Sequence, residues 1–165
     1  MYGWMGKLLF VDLSTREVTE SPTEPYIEPY VGGRGLGARL YWELARQDVR
    51  PFDPDNPLIF TAGPLVGARA QAATVMSVVS KSPAALPESY CYGNIAGYVG
   101  PELKKAGYDG LVVTGRAARP AHLAITDAGA EIRDARALWG ENAMATGRRL
   151  LAGLSPDAKF VAIGV

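Results

Sequence analysis

The sequence predicts an α+β fold: two related, mostly antiparallel β-sheets packed together with short helices. Three observations lead there. Short β-branched runs are separated by turns rich in the 19 glycines and 12 prolines. The helical stretches between them are short. A hairpin–helix–strand unit occurs twice, which reads as an internal duplication.

The elements follow in order. Lys7-Leu8-Leu9-Phe10-Val11-Asp12-Leu13 is a strand, Ser14-Thr15-Arg16 turns it, and Glu17-Val18-Thr19-Glu20 returns as a hairpin. Thr23, Glu24 and Pro25 suit the opening of a short helix over Tyr26–Tyr30. Gly32-Gly33-Arg34-Gly35-Leu36-Gly37-Ala38 then leads a helix to about Arg46. Leu36, Leu40 and Leu44 share one face of it, and Arg39 and Glu43 pair at i,i+4 on another. Pro51 to Pro57 is a turn-rich loop. Leu58–Ala62 is a buried strand, and Thr74–Lys81 is a valine-rich one.

Tyr92-Gly93-Asn94-Ile95-Ala96-Gly97-Tyr98-Val99-Gly100-Pro101 reads as a glycine-rich turn feeding a short helix. Pro101 suits a first helical position and Gly107 a helix end. A helix of about two turns is too short to be stable alone. Its N-terminus offers backbone N–H groups, the ingredients of an anion site. A merely flexible turn is the alternative reading. Leu111–Gly115 is the next strand.

The second half echoes the first. Leu123–Asp127 turns through Ala128-Gly129 to Ala130–Arg133, as in the opening hairpin. A helix over Glu141–Ala152 follows, with Ala143, Met144, Leu150 and Leu151 as its apolar set. Phe160-Val161-Ala162-Ile163-Gly164 mirrors the Leu58 strand. The chain is therefore read as one domain over residues 1–165, with a first repeat over about 1–116 and an incomplete second over about 117–165.

Composition removes several function classes. The 17 basic and 17 acidic residues cancel, so there is no electrostatic footprint for nucleic acid. No apolar run approaches the ~20 residues of a membrane span, and Met1-Tyr2-Gly3-Trp4 is no signal peptide, so a cytoplasmic protein is expected. One cysteine, Cys91, and one histidine, His122, exclude an internal disulfide and any Cys/His zinc or iron–sulfur site built from this chain alone. His122 lies in an alternating strand and reads as an ordinary strand residue; Cys91 reads as a small, half-buried side chain. The carboxylates are dispersed, and no acid/base pair stands out.

Gly33-Arg34-Gly35-Leu36-Gly37-Ala38 fits G-x-G-x-x-A before a helix. That pattern binds dinucleotides only after a buried strand, and Pro29 argues against one here, which favours a helix entry with close backbone packing. Lys81 is open to two readings, a phosphate contact or a strand end.

Together these segments resemble a known family. Met1–Trp4, Val11-Asp12-Leu13-Ser14-Thr15, Gly32–Leu36, Asp55–Ile59, Ala62-Gly63-Pro64-Leu65, Ser80-Lys81-Ser82-Pro83, Gly100–Asp109 and Glu131–Ala135 look, in this order, like the N-terminal domain of the tungsten-pterin aldehyde:ferredoxin oxidoreductases. The resemblance implies a base for a tungstopterin or molybdopterin cofactor, with Mg²⁺ bridging the pterin phosphates. It further implies oxidation of an aldehyde and water to a carboxylic acid, with electrons passing through a [4Fe–4S] cluster to ferredoxin. The metal is held by pterin sulfurs, so the chain's own lack of ligands is no objection.

Position by position, Asn94 matches a family asparagine that contacts the cofactor and offers its backbone carbonyl to Mg²⁺. Ala96 falls where the family commonly has a glycine contact, and Gly97 matches a neighbouring glycine. One departure is marked: Val75 stands where the family has an arginine on the pterin phosphates, and Arg69 is near it only in sequence. Cluster cysteines and catalytic groups are absent, and the chain as read ends within its second repeat. The resemblance therefore predicts a partner polypeptide carrying the cluster and catalytic domains. The alternative is a cofactor-free remnant that self-associates as a homo-oligomer.

Overall fold

The computed structural model describes residues 3–163. A six-stranded sheet forms the centre, in the order β2-β1-β6-β3-β4-β5. Its strands are β1 (Lys7–Asp12), β2 (Val18–Pro22), β3 (Leu58–Thr61), β4 (Met76–Ser82), β5 (Ser89–Ile95) and β6 (Gly110–Thr114). The neighbours pair antiparallel except β1 and β6, which run parallel from Leu8↔Gly110 to Asp12↔Thr114. A second sheet is the hairpin of β7 (Ala121–Thr126) and β8 (Gly129–Asp134). The predicted class, two mostly antiparallel sheets with short helices, is the one observed.

Alternation along the strands sorts side chains into two cores. Leu8, Ile59, Val79 and Val112 meet Leu36 and Leu40 of α2 (Gly33–Leu44) on one face. Leu9, Val11, Met76 and Leu111 meet Leu103 of α3 (Val99–Lys105) and Tyr108 on the other. The β7–β8 hairpin closes that second face with Leu123, Ile125, Ala130 and Ile132. Each fully buried aliphatic side chain contributes roughly 1.5–3 kcal/mol. Leu44, expected on the same stripe, is 41% exposed because the helix ends there.

Two glycines explain how α2 seats so closely. A Cβ on Gly35 would lie 2.6 Å from the Tyr30 carbonyl oxygen, and one on Gly37 would lie 2.8 Å from Val79 Cγ2 and 3.0 Å from Thr61 Oγ1. The segment before α2 is itself a helix, α1 (Glu24–Tyr30), not a strand. The glycine pattern therefore serves packing, as expected, and the dinucleotide fingerprint lacks its strand.

Three local expectations are corrected. Tyr92, Gly93, Asn94 and Ile95 belong to strand β5, not to a turn, because each finds a partner on β4. Phe160–Ile163 form no strand, since no described strand pairs with them, and Ile163 is 94% exposed; Gly164 lies outside the described residues. In α4 (Ala143–Leu151), Thr146 and Gly147 are buried, while Met144 is 70% exposed. The Phe160 ring lies so close to Gly147 that a Cβ there would meet it at 2.2 Å. That ring, rather than a leucine stripe, decides which face of α4 turns inward.

A buried polar knot joins the N-terminal segment to the sheet. Asp109 is fully buried and accepts from Met5 N (2.9 Å), Gly6 N (2.8 Å) and Thr23 Oγ1 (3.0 Å). Lys104 Nζ stands 3.8 Å from it and donates to the carbonyls of Gly3 and Gly63. Burial pulls the Lys104 ammonium below the usual lysine range, and Asp109 opposes that shift.

Two outcomes are expected. Lys104→Met leaves the Asp109 charge uncompensated and lowers unfolding free energy by about 3–5 kcal/mol in urea titration; a loss under about 1 kcal/mol contradicts this role. Gly37→Val forces α2 off the sheet and costs about 1–3 kcal/mol by the same measurement; an unchanged midpoint removes the close-packing explanation.

Candidate functional site

The candidate site is built on the free edge of the large sheet. β5 is the outermost strand, and its register sets Tyr90 against Lys81, Tyr92 against Val79 and Asn94 against Ser77. Val79 belongs to the core under α2. Tyr90, Tyr92 and Asn94 therefore share the α2 face of the sheet.

Asn94 is exposed near the end of β5, and the Ser77 hydroxyl donates to its Oδ1 at 3.3 Å. Ala96 and Gly97 follow as the exposed turn into α3, with Gly97 at φ +104°. No heavy atom lies within 4 Å of a Cβ position on Gly93 or Gly97, so the surface there is open. The three residues carried over from the family resemblance thus stand together on one exposed strand end. Val75 precedes β4 by one residue, opposite this turn, and is 41% exposed.

The start of α3 is a poorer anion site than its sequence implies. Gly100 is buried against Val66 and Met76, Pro101 has no N–H, and Glu102 N is taken by the Tyr98 carbonyl at 3.0 Å. Glu102 further places a carboxylate in the first turn, paired with Lys105 at 2.7 Å. The polar surface at this end of the sheet is therefore centred on β5 and not on the helix.

α2 reaches the same place from the opposite side. A Cβ on Gly33 would be 3.9 Å from Ser77 Oγ, and the Arg34 guanidinium carbon lies 4.6 Å from the centre of the Tyr92 ring. Ser77, Arg34 and Tyr92 were not among the sequence-level candidates. Recognising β5 as a strand would have found the first and last of them, because register alone places both beside Asn94.

Other candidates resolve as structure. Lys81 Nζ donates to the Val49 carbonyl at 2.7 Å, which ties the loop before β3 to β4. His122 lies on β7 opposite Arg133, half-buried, with Nδ1 buried and without a hydrogen-bond partner among the described residues. Cys91 is half-buried on β5. Among the described residues no group of three His, Cys, Asp or Glu side chains converges as a metal site, and no helix is long and apolar enough to cross a membrane.

A cavity of about 270 Å³ lies elsewhere, between the β7–β8 turn and the end of α3, lined in part by Lys7, Glu20, Tyr108 and Asp127. Three of its polar groups are already paired: Lys7 with Glu20 at 2.8 Å, and Tyr108 donating to Glu20 at the same distance. These bonds hold the Glu20 carboxyl below its usual range. A ligand there would have to break them, so the cavity is a weaker candidate than the β5 edge.

Comparison with known proteins gives the family. The family model for the aldehyde ferredoxin oxidoreductase N-terminal domain matches residues 8–165. The tungsten-containing aldehyde ferredoxin oxidoreductase of Pyrococcus horikoshii is 39% identical over 153 residues, covering 91% of this chain and 24% of that protein. Its counterpart in Pyrococcus furiosus is 40% identical over 147 residues, covering 88% and 24%. The aliphatic sulfonate oxidoreductase WOR-like subunit of Pyrococcus furiosus is 40% identical over 145 residues, covering 85% and 22%. Among solved structures, the active site complex BamBC of benzoyl coenzyme A reductase with 1,5-dienoyl-CoA matches at a TM-score of 0.86 and 34% identity, covering 92% of this chain and 23% of that one. The chain thus spans about a quarter of the length of these relatives. It belongs to the aldehyde ferredoxin oxidoreductase family, of which it is the N-terminal domain.

Proposed function

We propose that this chain is the cofactor-cradling portion of a tungsten- or molybdenum-pterin oxidoreductase that converts an aldehyde and water to a carboxylic acid. The observation that carries the reading is the cluster of Asn94, Ala96 and Gly97 on one open strand end, in a chain whose residues 8–165 match the family. The donor set suits a phosphate-bearing group: an exposed amide whose oxygen is held by the Ser77 hydroxyl, and unobstructed glycine backbone.

In this reading Asn94 would contact the pterin phosphates and its backbone carbonyl would be a ligand for the accompanying Mg²⁺, while Ala96 and Gly97 would let the cofactor approach the main chain. When bound, the cofactor supplies a redox-active metal that accepts electrons from the substrate. The chain's own task is to bind and orient. The rigid β4–β5 pairing fixes Asn94 against Ser77, so the amide needs little ordering when the cofactor arrives. The [4Fe–4S] cluster, the acid/base groups and the contact with ferredoxin are assigned to the three quarters of the relatives' length that this chain does not span, on the same polypeptide or on a partner.

Val75 favours a second reading. A valine at the arginine position removes a cationic clamp from the phosphates, as expected of a cofactor-free module that self-associates. Elemental analysis separates the two. Protein isolated from its native host is expected to carry tungsten or molybdenum, and Asn94→Ala is expected to lower that content severalfold with an unchanged melting temperature. Metal-free protein that sediments as a homo-oligomer would favour the second reading.

A further inference from the structure

The missing cation at Val75 directs attention to the positive charge that the fold does bring to this end of the sheet. We propose that Arg34 is a phosphate-contact residue of the cradle, a guanidinium supplied by α2 in place of the one absent at position 75. The proposal rests on the cofactor-cradling reading of the β5 edge given above.

Position is the first argument. Tyr92 and Asn94 are two residues apart on one face of β5, about 7 Å along the strand. Arg34 lies 4.6 Å over the Tyr92 ring, and its neighbour Gly33 approaches Ser77, the cross-strand partner of Asn94. A guanidinium anchored on Tyr92 is within side-chain reach of a group held at Asn94.

Orientation and charge are the second and third. The cation–π contact holds the guanidinium carbon over the Tyr92 ring, and a guanidinium carries a planar fork of N–H donors that binds phosphate oxygens in pairs. The two arginines of α2 also differ in charge balance. Arg39 is neutralised by Glu43 at 2.5 Å, whereas among the described residues no ion pair involves Arg34. An exposed arginine that is held in place by a ring, has no carboxylate partner among the described residues and lies on the same face as an exposed amide is suited to an anion with several oxygens.

The test uses inorganic pyrophosphate as the probe, titrated calorimetrically into the purified protein. Wild type is expected to bind it, Arg34→Gln to weaken binding about tenfold, and Arg34→Lys to recover part of the loss. Tyr92→Leu keeps the charge but removes the platform, and is expected to weaken binding severalfold. Val75→Arg restores the family's cation and is expected to tighten it. Both Arg34 and Tyr92 are solvent-facing, so all variants are expected to melt as wild type does.

Pyrophosphate binding that is unchanged in Arg34→Gln overturns the Arg34 assignment, and if Val75→Arg still gains affinity the cradle reading survives it. Absence of pyrophosphate binding in both wild type and Val75→Arg overturns both. Tungsten or molybdenum content of the native protein then distinguishes a pterin diphosphate from free phosphate as the natural ligand. Metal in wild type that is depleted in Arg34→Gln supports the cofactor as the source.

Discussion

The buried carboxylate of Asp109 is the constraint on which the assembly of this domain depends. A charge taken fully out of water is tolerated only when its oxygens are satisfied. Here two backbone amides, a hydroxyl and a lysine surround it. Those partners come from the N-terminal segment, the start of α1 and the last turn of α3. The Asp109 main chain joins the same knot, donating to Lys7 O and accepting from Ala62 N, each at 2.8 Å. The parallel pair of β1 and β6 begins directly beside it, at Leu8 and Gly110. One side chain thus sets the register at the centre of the large sheet, and both cores are built on that register.

The candidate edge is the far consequence of that centre. From β6 the sheet continues through β3 and β4 to β5, whose outer side has no strand neighbour among the described residues. An edge strand keeps unpaired main-chain groups and exposed side chains, which elsewhere in a fold would be a liability. Here glycine and asparagine occupy it, and open space surrounds Gly93 and Gly97. The core beneath is rigid because α2 is drawn close by Gly35 and Gly37. The same close approach carries Arg34 to the Tyr92 ring. Packing and site electrostatics are therefore two results of one helix placement.

The chain accounts for about a quarter of the length of the relatives it resembles. Several of its large apolar side chains are turned outward, among them Leu65, Tyr98 and Ile163. The division of labour read from the geometry is consistent with that span. The domain offers a polar strand end, and among the described residues no group of three His, Cys, Asp or Glu side chains converges as a metal site.

Much of the fold was legible from local pattern. Leu8, Leu9, Phe10 and Val11 alternate, and the structure sends them to alternate cores. The turns at Ser14–Arg16 and Asp127–Gly129 follow from their residues, and so does the stop of α3 before Gly107; α2 ends at Leu44 rather than Arg46, and α3 starts at Val99, so Pro101 is its third residue and not its first. The family motif made Asn94, Ala96 and Gly97 candidates, and the structure places them together on one strand end. β5 was not, because Gly93 and Asn94 have low strand propensity and only pairing with β4 makes them extended. Thr23 looked like a helix cap, yet its hydroxyl goes to Asp109, 86 residues away. Lys81 was open to a phosphate contact or a strand end, and its ammonium closes on Val49. The sequence by itself determined which faces are apolar and where the chain turns, since those depend on residues close in the chain. Tertiary structure alone decided that Arg34, Tyr92, Ser77 and Asn94 share one surface. Their neighbourhood is created by sheet register and by the seating of α2, and neither is written in any local window.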